Sequence, residues 1–442
     1  MEYPNVIVIV VDTLREDHSW MLEQVLQEFG FVKYKNVITP SPWTVPAHAS
    51  MFTGLYPLYH GAHESKERKD IHVRLGVEDL LSVYLWDKGY DTYLFTANPY
   101  IRPSFGFGGF SHFYESLYIP KSPFMSGEEL KRLQELKSGR GKLHLAGTLI
   151  LQREYKLLAK ATLNLMVEPI YIRLLARINN WPMDKGVNKL VKTFKTVISA
   201  KDNPKFIFIN LMEVHEPYFM GDTLGREGFI RNILEGVIDQ QALKKWKEMY
   251  PREVRYVSKK ILEIIMILKE QNMFDNSLVI ITSDHGQLLG EHGRIGHGTF
   301  LYDELLVVPL FIKYPTGLAL EQCVCPSQYI SLTRLRPLIQ GIVDGTISTD
   351  EVLYSPVVFA ESYGIHQNIG QRVAGKGEMI DNLEKYRVAI YYRGFKGIFN
   401  VSDWKFEGIF QKDKRIEDNG DVLSYMKKKV IRFLGLKLRS KI

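Results

Sequence analysis

The stretch Ser277-Leu-Val-Ile-Ile-Thr-Ser-Asp-His-Gly286 reads as a buried strand that stops by presenting a carboxylate and an imidazole side by side. A continuous apolar run rich in β-branched residues predicts a strand covered on both faces, as in parallel sheets. Ligands in α/β sheets gather at the carboxyl ends of such strands. Asp284 and His285 pair a hard oxygen with a borderline nitrogen, a combination suited to a divalent metal. A second run, Val6-Ile-Val-Ile-Val-Val11, ends the same way at Asp12. His215 lies just past the apolar run 205–211, ahead of Pro217. His297 stands in Gly296-His-Gly298, where the glycines are expected to let a ligand approach the backbone.

Working outward, strands are predicted over 5–12, 92–96, 205–211, 277–281 and 307–313, and helices over 23–27, 77–88 and 255–269. Residues 127–200 read as a helical insertion broken at Pro169 and Pro182. After about residue 350, short aromatic or β-branched runs at 356–361, 386–392, 396–401 and 405–410 alternate with Gly or Asp and predict a small antiparallel sheet. The expected architecture is α/β: a mostly parallel central sheet flanked by helices over 1–345, then a small β subdomain over 346–442 ending in a basic amphipathic tail.

The chain has 442 residues, 45% of them hydrophobic, and a net charge of +7, ordinary figures for a globular α/β protein. No run of 18 apolar residues predicts a spanning helix. The first strand starts almost at residue 1, which leaves no room for a signal peptide, and Cys323 and Cys325 sit too close for an ordinary disulfide. These features predict a cytoplasmic protein with free thiols. Basic, amphipathic stretches at 143–195 and 426–442 suit contact with the anionic inner face of a membrane. The plainer alternative is a terminal helix docked on the protein with its lysines solvated. No basic groove interleaved with aromatics points to nucleic acid.

Pro42-Trp-Thr-Val-Pro-Ala-His-Ala-Ser-Met-Phe-Thr-Gly54 places Thr44 at or near a helix N-terminus, where free N–H groups and the dipole favour an anion. A threonine hydroxyl becomes a nucleophile only when a metal or base lowers its pKa. Otherwise Thr44 is an N-cap. His48 is placed to face the site. His60, His63, Glu291 and His292 read as structural.

Taken in order, these segments resemble the sulfatase branch of the alkaline phosphatase superfamily. The motifs are strand–Asp12, Thr44-x-Pro-x-His-Ala-Ser-x-x-Thr-Gly-x-Tyr-Pro-x-x-His-Gly61, Asn210-x-x-Glu-x-His-x-Pro-Tyr218 and Ser283-Asp-His-Gly-x-x-x-Gly-Glu-His-Gly293. The resemblance spans about residues 4–315. It implies an alkaline-phosphatase-like fold and a divalent metal ion (Zn, Mn or Ca) held by Asp12, Thr44, Asp284 and His285. It places His215 and His297 on the substrate's oxyanions or on a second ion, and implies attack by Thr44 through a covalent intermediate.

Four departures from the sulfatase pattern stand out. Thr44 cannot become the formylglycine that sulfatases make from Cys or Ser. Asp12-Thr13 replaces the paired aspartates, His48 the usual arginine, and His297-Gly298 the usual lysine. These changes resemble the threonine-using phosphoryl branch, which includes phosphodiesterases and phosphotransferases. The expected function is therefore a metallohydrolase or transferase acting on a phosphate ester or phosphodiester, with an anionic, lipid-linked or glycan substrate. A sulfuric ester hydrolase is the alternative enzyme. A non-catalytic metal-binding or membrane-surface scaffold is the alternative of another class.

Overall fold

The computed structural model describes residues 3–64, 75–76, 79–121, 124–137, 141–200, 203–222, 224, 226–323, 325, 327–365, 377–411, 414–416 and 420–438. The central sheet has seven strands: Asn5–Val11 (β1), Val32–Tyr34 (β2), Asp91–Thr96 (β3), His112–Glu115 (β4), Lys205–Leu211 (β5), Ser277–Thr282 (β6) and Leu310–Lys313 (β7). Their spatial order is β2-β7-β6-β1-β5-β3-β4. Strand β1 lies between β5 and β6, parallel to both. Strand β7 runs antiparallel to its neighbours β6 and β2, so the sheet is mostly rather than wholly parallel.

Alternation along β1 divides the core. Val6, Val8 and Val10 point into a cluster with Val45, Ala49 and Phe52. Ile7, Ile9 and Val11 point the other way, against Val257, Ile261, Ile264 and Ile265. A strand apolar on both sides needs a helical layer on each face, and the chain supplies both. One layer includes the helix Thr44–Thr53 (α1). Helices Gly127–Lys137 (α2), Lys142–Leu151 (α3) and Tyr155–Ile178 (α4) form a compact unit of their own, Tyr118–Lys185. Helix Val187–Val197 (α5) and helix Gln240–Glu270 (α6) contribute to the opposite layer.

Several expectations need correction. The helical insertion ends at Lys185 rather than near 200, because Val187, Leu190 and Phe194 of α5 are buried in the main core. Pro169 lies inside α4 and does not end it. The helix expected over 255–269 starts fifteen residues earlier, capped by the Asp239 carboxylate, which accepts from the N–H groups of Gln241 and Ala242. It continues through Pro251 because Trp246, Tyr250 and Val254 are buried on the same face. Of the helix expected over 77–88, residues Leu81–Asp87 are helical, and positions 77 and 78 lie outside the described residues.

The C-terminal sheet contains Val357–Ser362 (β8), Arg387–Tyr392 (β9), Phe395–Asn400 (β10), Lys405–Gln411 (β11) and Lys414–Ile416 (β12), each antiparallel to the next. It belongs to the same compact unit as the central sheet, with no division near residue 345. The tail helix Gly420–Leu438 (α7) buries Val422, Met426, Val430, Phe433 and Leu434 among sheet residues that include Val388, Ile390 and Phe399. Its apolar stripe is therefore covered by protein, and Lys427, Lys428 and Arg432 face solvent. Residues 439–442 of the expected basic tail lie outside the described residues.

Candidate metal centre and nucleophile

Three adjacent parallel strands end on one edge of the sheet, and this topology assembles the site. Val10 pairs with Thr282 of β6 and with Asn210 of β5. Two residues further on, Asp12 and Asp284 come level, and the Asp12 N–H extends the ladder to Leu211 O at 2.8 Å. Both aspartates and His285 are fully buried. One ligand atom from each of the three lies within 4.8 Å of the others.

The surrounding bonds aim these atoms inward. The Asp12 carboxylate accepts from Asn98 Nδ2 through Oδ2 (2.8 Å), while its Oδ1 has no hydrogen-bond partner. Asp284 Oδ1 accepts from the N–H groups of Thr13 (3.2 Å) and His285 (2.9 Å), while its Oδ2 has none. His285 donates from Nδ1 to Gly286 O at 2.9 Å, which fixes the tautomer and leaves the Nε2 lone pair facing the carboxylates. Nε2 lies 3.4 Å from Asp284 Oδ2 and 3.9 Å from Asp12 Oδ1.

Two orphaned carboxylate oxygens and an imidazole lone pair, all buried and convergent, are costly unless a cation joins them. Burial, then the charge of Asp284, pushes the Asp12 carboxyl up to about 7. Burial raises Asp284 to about 7 and lowers His285. These residues fit a divalent metal ion.

Thr44 is the first residue of α1 rather than its cap. Trp43 occupies the cap position, and no side chain there accepts a bond. The Thr44 hydroxyl instead turns toward His285, with Oγ1 3.3 Å from Nε2. Pro46 in the first turn removes an N–H that would have no helical partner. His48, one turn on, donates from Nδ1 to Thr44 O (2.9 Å) and accepts at Nε2 from Asn210 Nδ2 (3.0 Å). This arrangement requires the neutral ring, and burial lowers its pKa to about 3. His48 thus braces the helix start and carries no charge.

His215 and His297 lie beside this group. The short hairpin between Leu288–Leu289 and Ile295–Gly296 turns the chain back, so that the His297 ring centroid sits 4.5 Å from that of His285 and 5.1 Å from that of His215. His297 donates from Nδ1 to Gln287 Oε1 (2.7 Å), and Gln287 Nε2 donates to Glu216 Oε2 (2.8 Å). His215 donates from Nδ1 to Glu216 O at 2.7 Å. Ligand atoms of His215, Glu216 and His297 form a second group within 4.8 Å of one another. Gly296 serves a purpose other than the expected ligand approach. Its φ is +77°, and a Cβ there would meet the Phe229 ring at 2.6 Å, so it makes room for protein.

Of the other histidines, His60 accepts from Ala62 N (3.0 Å), His63 stacks on Tyr363 (3.5 Å), and His292 stacks on Tyr302 and contacts Glu304. Glu291 pairs with Arg15 at 2.7 Å. Reading the sequence missed Asn98, Glu216 and Gln287, which carry no motif. Thr13, noted there only as standing in place of a second aspartate, is a β-branched residue at φ +61°. That conformation costs on the order of 1–3 kcal/mol. It is held by the Thr13 N–H on Asp284 and by Tyr250 Oη, which donates to Thr13 O at 2.6 Å.

A family model described as Sulfatase matches residues 4–322. The chain belongs to the sulfatase family. It thereby falls in the alkaline phosphatase superfamily, and enzymes of the sulfatase family use a divalent metal ion. An arylsulfatase of Clostridium perfringens is 30% identical over 126 residues, covering 27% of this chain and 26% of that protein. A low-salt glycan biosynthesis sulfotransferase of Haloferax volcanii is 38% identical over 117 residues, 25% of this chain and 27% of its own. The matched stretches thus span about a quarter of these curated relatives. The fold extends further. A phosphonate monoester hydrolase from Silicibacter pomeroyi superposes with a TM-score of 0.64 at 15% identity, covering 99% of this chain and 95% of that one. A 2-O GAG sulfatase gives 0.64 at 13% identity, covering 100% and 93%.

Proposed function

We propose that this sulfatase-family protein cleaves or transfers a phosphate ester or phosphodiester, with Thr44 as the nucleophile. The observation that carries the reading is the identity and placement of residue 44: a threonine hydroxyl at a buried helix start, 3.3 Å from His285 Nε2. A secondary alcohol there cannot be oxidised to the aldehyde on which sulfate-ester hydrolysis in this family depends.

Asp12, Asp284 and His285 would hold the cation, with Thr44 Oγ1 beside them. A divalent ion bound there lowers the pKa of an adjoining hydroxyl and neutralises charge on non-bridging oxygens. Thr44 Oγ1 bonds to phosphorus as the bond to the leaving oxygen breaks, and the proton it gives up ends on that leaving group or in solvent. Water or an acceptor alcohol then takes the phosphoryl group and restores the hydroxyl. The neutral His48 keeps the Thr44 peptide fixed during both steps. His215 and His297, each donating from Nδ1, either offer Nε2–H to the phosphoryl oxygens as imidazolium or offer an Nε2 lone pair, with Glu216, to a second ion. Metal stoichiometry by elemental analysis separates these two arrangements.

A second reading, sulfate-ester chemistry on a glycan, is favoured by the curated relatives. Besides the arylsulfatase and the glycan biosynthesis sulfotransferase, an N-acetylglucosamine-6-O-sulfatase is 34% identical over 94 residues. The deciding assay compares p-nitrophenyl phosphate, bis-p-nitrophenyl phosphate and p-nitrophenyl sulfate with Mn, Zn, Mg or Ca. Phosphoester turnover lost in Thr44→Ala supports the proposal. Preferential turnover of the sulfate by the unmodified threonine enzyme overturns it.

A further inference from the structure

Residues 118–185 carry twelve Lys and Arg against six Asp and Glu, so six of the chain's seven net positive charges reside in this helical unit. The same 68 residues hold twelve of the 23 large apolar side chains exposed among the described residues. By contrast, Met125, Leu149 and Ala176, with Pro120 and Pro182, are the unit's buried apolar side chains among the described residues. A concentration of exposed large apolar side chains of this kind marks an interaction site.

The distribution is ordered. In α4, Met166, Ile170, Leu174 and Ile178 recur every four residues and are all exposed, forming one stripe. Arg173 and Arg177 follow Ile170 and Leu174 by three residues and so share that face. The one acidic residue within α4, Glu168, points elsewhere and accepts from Asn164 Nδ2 at 2.8 Å. At the two ends of α3, Leu143 is 91% exposed and Leu151 86%, and Arg153 follows in the turn.

We infer that Tyr118–Lys185 docks the protein on an anionic phospholipid bilayer. An apolar stripe bordered by arginines matches a surface of acyl chains beneath negative headgroups. No described helix is long and apolar enough to cross a membrane, so the contact is peripheral. The tail helix α7 is the weaker candidate, since its apolar stripe already packs on the C-terminal sheet. This inference does not rest on the reaction proposed above.

Vesicle co-sedimentation of the full chain tests it, using phosphatidylcholine vesicles with and without about one third phosphatidylglycerol. The intact protein should partition at least about tenfold more strongly onto the anionic vesicles, with the difference shrinking at high salt. Leu143→Gln/Leu151→Gln/Met166→Gln/Ile170→Gln should lose at least about tenfold of that binding, as should Arg153→Gln/Arg173→Gln/Arg177→Gln. Because these side chains are exposed, thermal melts should match the parent. Lys427→Gln/Lys428→Gln/Arg432→Gln should bind like the parent. Equal binding to both vesicle types, no binding by the parent, or loss only in the tail variant overturns the inference. So does light scattering that shows a parental dimer made monomeric by the four-residue variant, since the face would then belong to a second copy.

Discussion

Thr44 Oγ1 and His285 Nε2 lie 3.3 Å apart although 241 residues separate them in the chain. The contact joins the start of a helix to the end of a strand. It depends on His285 keeping its proton on Nδ1, where Gly286 O receives it.

If the hydroxyl is the attacking atom, Thr44→Ala should lower kcat by at least about 10³-fold, within the range seen when nucleophiles are removed. Its melting temperature should stay close to that of the parent. Thr44→Ser keeps an oxygen at the same position and should retain measurable phosphoesterase activity. Steady-state kinetics on bis-p-nitrophenyl phosphate checks both variants.

Metal affinity should fall steeply as pH drops through 7. Asp12 and Asp284 both stand near 7 without a metal, so below that value protons compete for the oxygens a cation requires. Calorimetric titration of the metal-stripped protein should show affinity weaker by on the order of tenfold to a hundredfold at pH 6 than at pH 8, with protons released on binding.

The same two carboxylates should cost the metal-free protein stability. Their folded pKa values lie above the ordinary carboxylate value of 3.8. The cost is absent below that value, where folded and unfolded chains both hold the proton. It grows up to about 7 as the unfolded chain releases the proton and the folded one retains it. Asp12→Asn in the presence of a chelator should therefore be more stable than the parent at pH 8, by on the order of 1 kcal/mol or more, and no more stable at pH 4. Added metal should reverse the order at pH 8. Urea unfolding at the two pH values measures it.

Gly286→Ala should fold poorly. A Cβ there would lie 1.9 Å from Glu304 O, and the Gly286 N–H already bonds Leu305 O at 2.9 Å. A loss of at least about 3 kcal/mol is expected, since backbone would have to move on both sides. Expression yield and thermal denaturation report it.

The sheet was legible in the sequence because short runs rich in β-branched residues, such as 6–11 and 277–282, suit central strands buried on both faces. The convergence of Asp12 with Asp284 followed from two such strands ending in carboxylates. What sequence could not show is set by contacts between distant segments. Asn98, Glu216 and Gln287 orient ligand candidates from loops with no local pattern. Thr13 adopts its left-handed backbone only because Tyr250 and Asp284 hold it. The helix expected over 255–269 is longer in α6 because burial of Trp246 and Tyr250 carries it through Pro251, a contact between distant segments. Likewise, the end of the helical insertion depends on which helices bury their apolar face in the main core, and α5 does so through Val187, Leu190 and Phe194.

Rapid quenching of the metal-loaded enzyme with bis-p-nitrophenyl phosphate, followed by peptide mass spectrometry, addresses Thr44 directly. An aryl phosphoryl group on the peptide containing Thr44, absent from Thr44→Ala, is the predicted result. Undiminished turnover in Thr44→Ala, with no adduct on that peptide in the parent, would contradict the account.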